Sequence, residues 1–181
     1  MALSKPLKAA ILAMPRDEKD KILLRLVGKH EDLQAQLEFQ LLENSATLDE
    51  RREAIHRSID RLYAQEHYSS GYLMMDMRDR HADLTKHVKT TKDAYGEVEL
   101  LLYLLNGVFE HQLKWIERYS SKSDTLAQYV AKRTEALLKK LAKLHPDIQF
   151  EFLESANLLL ERVWQYAPAY YAREMNLSKR V

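Results

Sequence analysis

Glu53 and His56 have a spacing that is typical of a metal site on a helix. A glutamate and a histidine three positions apart share one helix face, and helical di-iron proteins combine two such pairs with two more glutamates. No other glutamate in this sequence is followed by a histidine three residues later. The same segment carries three arginines, which we expect to pair with Glu53 or Asp60: Arg52, Arg57 and Arg61. We therefore interpret this face as solvated, and keep a metal-binding helical bundle as an alternative.

Other catalytic motifs are absent from the sequence. The glycines at 28, 71, 96 and 107 spell neither a dinucleotide-binding loop nor a P-loop, and no G-x-S-x-G motif occurs. The chain has no cysteine, which excludes disulfides, thiolate metal ligands and thiol nucleophiles. Seven histidines are scattered along the sequence, and His81 is interpreted as a hydrogen-bonded residue at the core boundary. We name no catalytic, cofactor-binding or metal-ligating residue and expect no cofactor.

Basic residues cluster in the predicted helix 124–145. They form a polar face that is a candidate nucleic-acid surface: Lys132, Arg133, Lys139, Lys140 and Lys143. Nucleic-acid-binding domains typically have a pI above 9, whereas this chain has a pI of about 7.9. Weak nucleic-acid binding is therefore an alternative, and we expect no nucleic-acid partner.

Aromatic residues are concentrated near the end of the sequence: Trp164, Tyr166, Tyr170 and Tyr171. Tryptophan and tyrosine dominate the energetics of many protein interfaces. These side chains either anchor a protein partner or hold the last helix against its own domain, and the sequence alone leaves both interpretations open.

The composition predicts an all-α fold for these 181 residues, of which 46% are hydrophobic and 30% charged. Four glycines and four prolines are too few for the frequent turns of a sheet-rich protein. We predict about eight helices, arranged as helical hairpins in a compact bundle or a short HEAT/armadillo-like array. The central element is predicted to be helix 94–119, the most apolar one. Residues 1–168 are predicted to form a single helical domain, and 169–181 a partly ordered tail.

Hydrophobic periodicity and capping residues set the predicted helix limits. Predicted caps are Ser4, Thr47 with Glu50, Asp93 and Ser123, and Pro146 is placed at a first helical position. Gly107 lies inside the central helix, where it costs about 1 kcal/mol relative to alanine, so we predict a close helix crossing there. The predicted helices are 5–13, 15–27, 31–43, 48–66, 72–91, 94–119, 124–145 and 146–167.

An internal similarity relates residues 22–34 to 137–149. His30 matches His145, Asp32 matches Asp147 and Gln34 matches Gln149. Both segments are predicted to lie at a junction between two helices. Helical repeats recur at periods of 34 to 47 residues, whereas these copies are 115 positions apart, so coincidence of a common hairpin pattern is the preferred interpretation and a repeat array the alternative.

Membrane and targeting signals are not evident. The most apolar run, 100–109, has ten residues without a charge and covers about half of the ~30 Å hydrocarbon core of a bilayer. The first 21 residues lack the pattern of a signal peptide. We therefore predict a buried helix, no membrane partner and a cytoplasmic location. The predicted function is a non-enzymatic interaction or scaffold domain that binds a protein partner or a second copy of itself.

Overall fold

The computed structural model describes residues 3–43 and 46–181. Within these ranges 78% of the residues are helical, nine α-helices are present and no strand occurs. The helices of residues 46–181 pack closely against one another. The predicted all-α fold is therefore confirmed.

The helices fall into two compact units, Met1–Ser45 and Ala46–Val181. The first unit contains α1 (Lys5–Ala13), α2 (Arg16–Val27), α3 (Glu31–Glu38) and a π-helix (Phe39–Glu43). The second contains α4 (Leu48–Ala64), α5 (Ser70–Thr91), α6 (Ala94–His111), a 3-10 turn (Leu113–Trp115), α7 (Asp124–Leu141), α8 (Pro146–Gln165) and α9 (Ala169–Glu174). The predicted limits of one domain over 1–168 and a tail over 169–181 stay a prediction.

The second unit is a bundle built around α6. Eleven residues of this helix are buried, because its apolar side chains point towards most of its circumference and these sides must be covered. Helices α4, α5, α7 and α8 all contact it. The predicted central position of this helix is confirmed, and four helices around one is the packing of a bundle rather than of a linear array.

The central helix is shorter than predicted. It ends at His111, not at residue 119, and the 3-10 turn Leu113–Trp115 follows. The side-chain amide of Gln112 donates to the backbone oxygens of Tyr63 and Gln65, at 3.2 and 3.3 Å. These carbonyls lie at the end of α4, where no helical partner remains. Gln112 therefore provides hydrogen-bond donors for the carbonyls at the end of α4, and it is also the C-cap residue of α6.

Three of the four predicted caps differ from the expectation, and the first of them is Ser4, whose side chain makes no capping bond to α1. Asp93 accepts a hydrogen bond from the Gly96 N–H, at 2.9 Å, as predicted. The side chain of Thr47, in contrast, makes no capping bond to α4. Ser123 precedes α7, but its hydroxyl accepts from the Ser120 N–H and donates to the Arg118 carbonyl. It closes the preceding turn instead of capping the following helix.

The two similar segments both lie at helix junctions, as predicted. Residues 22–34 span the end of α2 and the start of α3, and 137–149 span α7 and α8. The two junctions differ in their bonding, because the His145 ring accepts from the Asp147 N–H whereas the His30 side chain makes no capping bond. Whether the similarity is a true repeat stays open.

Gly107 lies directly against the ring of Tyr63. A Cβ atom at position 107 would be 2.4 Å from Cε2 of that ring. The ring cannot easily move away, because Tyr63 is buried and its hydroxyl donates to the Leu104 carbonyl one turn earlier on α6. The predicted close crossing is confirmed, and it joins α4 to α6.

We expect Gly107→Ala to lower the free energy of unfolding by about 2 kcal/mol, since overpacking a core typically costs 1–3 kcal/mol. A decrease in stability is informative, because alanine in a helix interior is otherwise about 1 kcal/mol more favourable than glycine. Urea unfolding followed by circular dichroism measures the change.

Gly71→Ala is the matched control, since its Cβ would meet only the Ser69 hydroxyl at an ordinary 3.6 Å. This variant should be unchanged or slightly more stable. Equal stability of the Gly107→Ala variant and the unchanged chain would contradict the crossing.

Candidate functional site

Glu53 and His56 lie on α4 but do not form a metal site with other residues. The His56 ring faces α6, where its Nε2 is 3.5 Å from Oε1 of Glu99 and its edge contacts the Tyr103 ring at a centroid distance of 4.5 Å. Glu53 is exposed. Among residues 3–43 and 46–181, no group of three or more histidine or carboxylate side chains is placed to hold a metal ion. The structure thus gives the metal-binding alternative no ligand set in the part it describes.

His56 opens onto a cleft between α4, α6 and α8. The cleft has a volume of about 290 Å³, with Leu102 and Phe152 among its apolar lining residues. Glu99 and Glu110 provide carboxylates along the α6 side, and Glu110 accepts a hydrogen bond from Arg162 at 2.8 Å. The second carboxylate oxygen of Glu99 is buried without a hydrogen-bond partner. This cleft is amphipathic and acidic, and it has the size of a small-ligand pocket.

Glu99 and Tyr103 were not predicted as neighbours of His56. They lie more than 40 positions away in the sequence, so local spacing gives no signal. The periodicity of α6 does give a signal, because Glu99, Tyr103 and Glu110 follow the i, i+4, i+11 pattern of a single helix face. Tyr103 also donates to Asp60 of α4, and this hydrogen bond raises the pKa of Tyr103 to about 12.

Arg52 pairs with Asp93, not with Glu53 or Asp60 as predicted. Its guanidinium makes two hydrogen bonds to this carboxylate, at 2.6 and 2.7 Å. His87 of α5 approaches the same carboxylate at 3.3 Å. Asp93 caps α6, so the carboxylate joins three helices at one corner. The bidentate geometry is the strong form of this ion pair.

The Asp93 carboxylate stays ionised well into the acid range. Its burial, with only 4% of the side chain exposed, acts to raise the pKa. Hydrogen bonds from His87, Arg52 and the Gly96 N–H outweigh that effect, and they hold the pKa of Asp93 well below its usual range. These donors stabilise the charged form, which is the form that pairs with Arg52.

His81 is a half-buried residue on α5, which agrees with its interpretation as a boundary residue. Burial, together with the positive charges of Arg133 and Lys140, lowers the pKa of His81 to about 4. The ring is therefore neutral near pH 7.

The basic residues of α7 are largely occupied by partners within the second unit. Lys140 contacts Glu97 of α6 at 2.5 Å, and Lys139 contacts Glu135 at 2.6 Å. The Arg133 guanidinium lies over the Tyr129 ring, with its Cζ 5.3 Å from the ring centroid. Three of the five cationic groups thus have neighbours that reduce their availability to phosphates, and the structure adds no support to nucleic-acid binding.

The aromatic residues near the end of the sequence contact their own unit. Tyr171 and Tyr119 both donate to Oδ1 of Asp124, at 2.5 and 2.8 Å. Tyr166 stacks on Phe109 of α6. These contacts favour the second interpretation of this region, in which aromatic side chains hold α9 and the end of α8 in place.

The N-terminal helices leave most of their side chains exposed, and their apolar residues Ile22, Val27, Leu33 and Leu37 are half-buried. Within residues 3–43, no side chain of α1, α2 or α3 is buried, whereas Phe39 of the π-helix is. Large apolar side chains are among the exposed ones: Leu3, Leu7, Ile11, Leu12, Leu23, Leu24, Leu26, Leu41 and Leu42. Most monomeric proteins expose fewer large apolar side chains over so short a segment.

Comparisons with known proteins give no family to which the chain can be assigned. No family model matches, and no curated protein or solved structure is similar at a significant level. In the described residues, no helix has both the length and the hydropathy that crossing a membrane requires.

We expect Asp93→Asn to lower the free energy of unfolding at pH 7 by about 2–3 kcal/mol, because it leaves the partly buried Arg52 with only the exposed carboxylate of Asp49 as an ionic partner. The pH dependence follows from the lowered pKa: the stabilisation is complete above the unfolded-state value of about 4 and decreases as the pH falls towards the folded-state value. Urea unfolding at pH 7 and from pH 5 to 3 measures both effects. The unchanged chain should lose the stability contributed by the Asp93 carboxylate as the pH falls, whereas the variant has no such contribution to lose.

Asp49→Asn is the control for this experiment. Asp49 lies 3.7 Å from the same arginine but its side chain is 93% exposed. An exposed pair of this kind contributes about 1 kcal/mol at most. Equal losses in the two variants would contradict the role assigned to Asp93.

Proposed function

We propose that the protein is a non-enzymatic interaction domain that binds a second copy of itself through α1, α2 and α3. One observation carries the proposal: these three helices bury no side chain, although leucine and isoleucine recur along them. Helices of 8 to 12 residues are only marginally stable in water by themselves. Contact with another protein surface would stabilise them by covering the apolar side chains.

The charges of α2 favour a second copy as the partner. Its first five residues carry three acidic side chains (Asp17, Glu18 and Asp20) and two basic ones (Arg16 and Lys19), whereas its later turns carry only the basic Lys21 and Arg25. Two such helices packed antiparallel bring the acidic part of each against the basic part of the other. This is the self-complementarity that a two-fold symmetric interface requires.

The neighbouring helices repeat this complementarity. Lys5 and Lys8 are the charged residues of α1, whereas Glu31, Asp32 and Glu38 are those of α3. A two-fold contact that places α1 of one copy beside α3 of the other therefore pairs opposite charges. A cytoplasmic location belongs to the same proposal and rests on the sequence analysis.

Sedimentation velocity of the full chain over a wide concentration range tests the proposal. We expect a reversible dimer, and we expect Leu24→Ser to raise its dissociation constant at least about tenfold, since removing a buried leucine side chain costs more than the 1.4 kcal/mol that corresponds to tenfold. A chain that stays monomeric at every concentration would contradict self-association.

Phe150→Ser is the matched control, because Phe150 is 76% exposed on α8 and Leu24 is 71% exposed on α2. This variant should associate like the unchanged chain. Equal weakening by both substitutions would show that association is not specific to α1–α3.

Charge reversal tests the antiparallel arrangement. In an antiparallel pair of α2 helices, Glu18 of one copy faces Arg25 of the other. Arg25→Glu should weaken the dimer, and Arg25→Glu combined with Glu18→Arg should restore it. A double variant that associates no better than Arg25→Glu alone would exclude this arrangement.

A further inference from the structure

The residues that follow α9 are directed back along α8. The helix ends in a Schellman motif, in which the Leu177 N–H donates to the Ala172 carbonyl and the Asn176 N–H donates to that of Arg173. Asn176 has the left-handed φ of 50° that this motif requires. Leu177 is buried in the core of the second unit. The hydrogen bonds at the end of α9 and the burial of Leu177 therefore fix the direction in which the following residues leave the helix.

The tail segment, residues 178–181, is held by polar groups of α8. The Trp164 indole N–H donates to the Ser178 carbonyl at 3.3 Å. The Asn157 amide accepts from the Val181 N–H at 3.0 Å and donates to the Val181 carbonyl at 3.5 Å. All three hydrogen bonds go to backbone groups, so they recognise a peptide chain rather than particular side chains.

The side chains of the tail segment contribute to its attachment through charge and not through burial. All four residues of the segment are exposed, whereas a segment that served mainly to cover apolar surface would bury its side chains. One of these exposed side chains makes a contact with α8: the ammonium of Lys179 lies 5.1 Å from the centroid of the Trp164 ring. A cation at this distance from an indole face is attracted by it.

A cleft of about 1060 Å³ runs beside this contact, between α8 and the tail segment. Glu154 and Glu161 of α8 line it, together with Leu158, and Arg173 of α9 is a basic residue on its border. The two carboxylates complement Lys179 and Arg180, which line the same cleft. The surface thus offers backbone-directed hydrogen bonds, an indole face for a cation, and a negative charge.

We propose that this α8 surface, centred on Asn157 and Trp164, is a docking site for a short basic peptide segment of a partner protein. The tail segment occupies the site within the chain and shows the chemistry that it accepts. A tethered segment competes at an effective concentration in the millimolar range, so a partner segment binds only when the tail segment is displaced. This surface is separate from the α1–α3 surface and does not depend on self-association.

Fluorescence polarisation of a labelled Ser-Lys-Arg-Val peptide tests the proposal on the full chain. The double variant Lys179→Glu with Arg180→Glu keeps every α8 group and weakens the attraction between the tail segment and Glu154 and Glu161. We expect this variant to bind the peptide at least about tenfold more tightly than the unchanged chain, because the tethered competitor is removed. A peptide with glutamate in place of its lysine and arginine should bind neither protein.

Asn157→Ala in the released variant identifies the site. We expect it to weaken peptide binding at least about tenfold, since it removes both hydrogen bonds to the backbone of one residue. Folding should be unaffected, because alanine is the better helix former. Gln149→Ala, which removes another side-chain amide of α8 at a distance from the cleft, is the control and should bind like the released variant.

Several results would overturn the proposal. Among them are a released variant that binds no more peptide than the unchanged chain, an Asn157→Ala variant with undiminished affinity, and equal binding of the acidic peptide. Sedimentation velocity of the released variant separates the two proposals, because its dimerisation should equal that of the unchanged chain whether or not the peptide binds.

Discussion

The need to cover the buried sides of α6 determines the architecture of the second unit. A helix with eleven buried residues cannot lie on a surface, so α4, α5, α7 and α8 must surround it. The tightest of these contacts is the approach of α4 at Gly107, where the absence of a side chain admits the Tyr63 ring. The hydroxyl of this tyrosine also donates a hydrogen bond to the Leu104 carbonyl. This bond fixes the position of α4 along α6, and the contact at Gly107 fixes the distance between the two helices. The cleft at His56 and the corner at Asp93 both depend on that register.

Much of this fold was predictable from the sequence because its signals are local. The helix starts at Asp93 and Pro146, and the close approach at Gly107, each follow from one residue and its immediate neighbours. The central helix was predicted eight residues too long because the apolar pattern continues past His111. Its true end depends on Gln112 reaching carbonyls of α4, which lie almost 50 positions earlier in the sequence.

The partners of charged residues were not predictable in the same way. Arg52 has nearby acidic residues in the sequence, yet it bonds to Asp93, 41 positions away. A buried carboxylate that lacks water gains more from a bidentate arginine than an exposed one does, and burial is a property of the tertiary fold. The same reason explains His56, whose neighbour Glu99 comes from another helix. Candidate sites assembled from several helices are therefore the part of this protein that sequence spacing describes least well.

The hydrogen bonds of Asp124 make one region of the molecule sensitive to alkali. Its carboxylate accepts from two phenols, and the bond to it raises the pKa of Tyr171 well above the usual value. A phenol that loses its proton can no longer donate, and its negative charge repels Asp124. Stability from this contact is therefore complete below the normal tyrosine pKa of about 10 and declines as the pH rises beyond it. Strong base should loosen α9 from the start of α7, while strong acid acts at the opposite end of α6, where Asp93 holds the helix start.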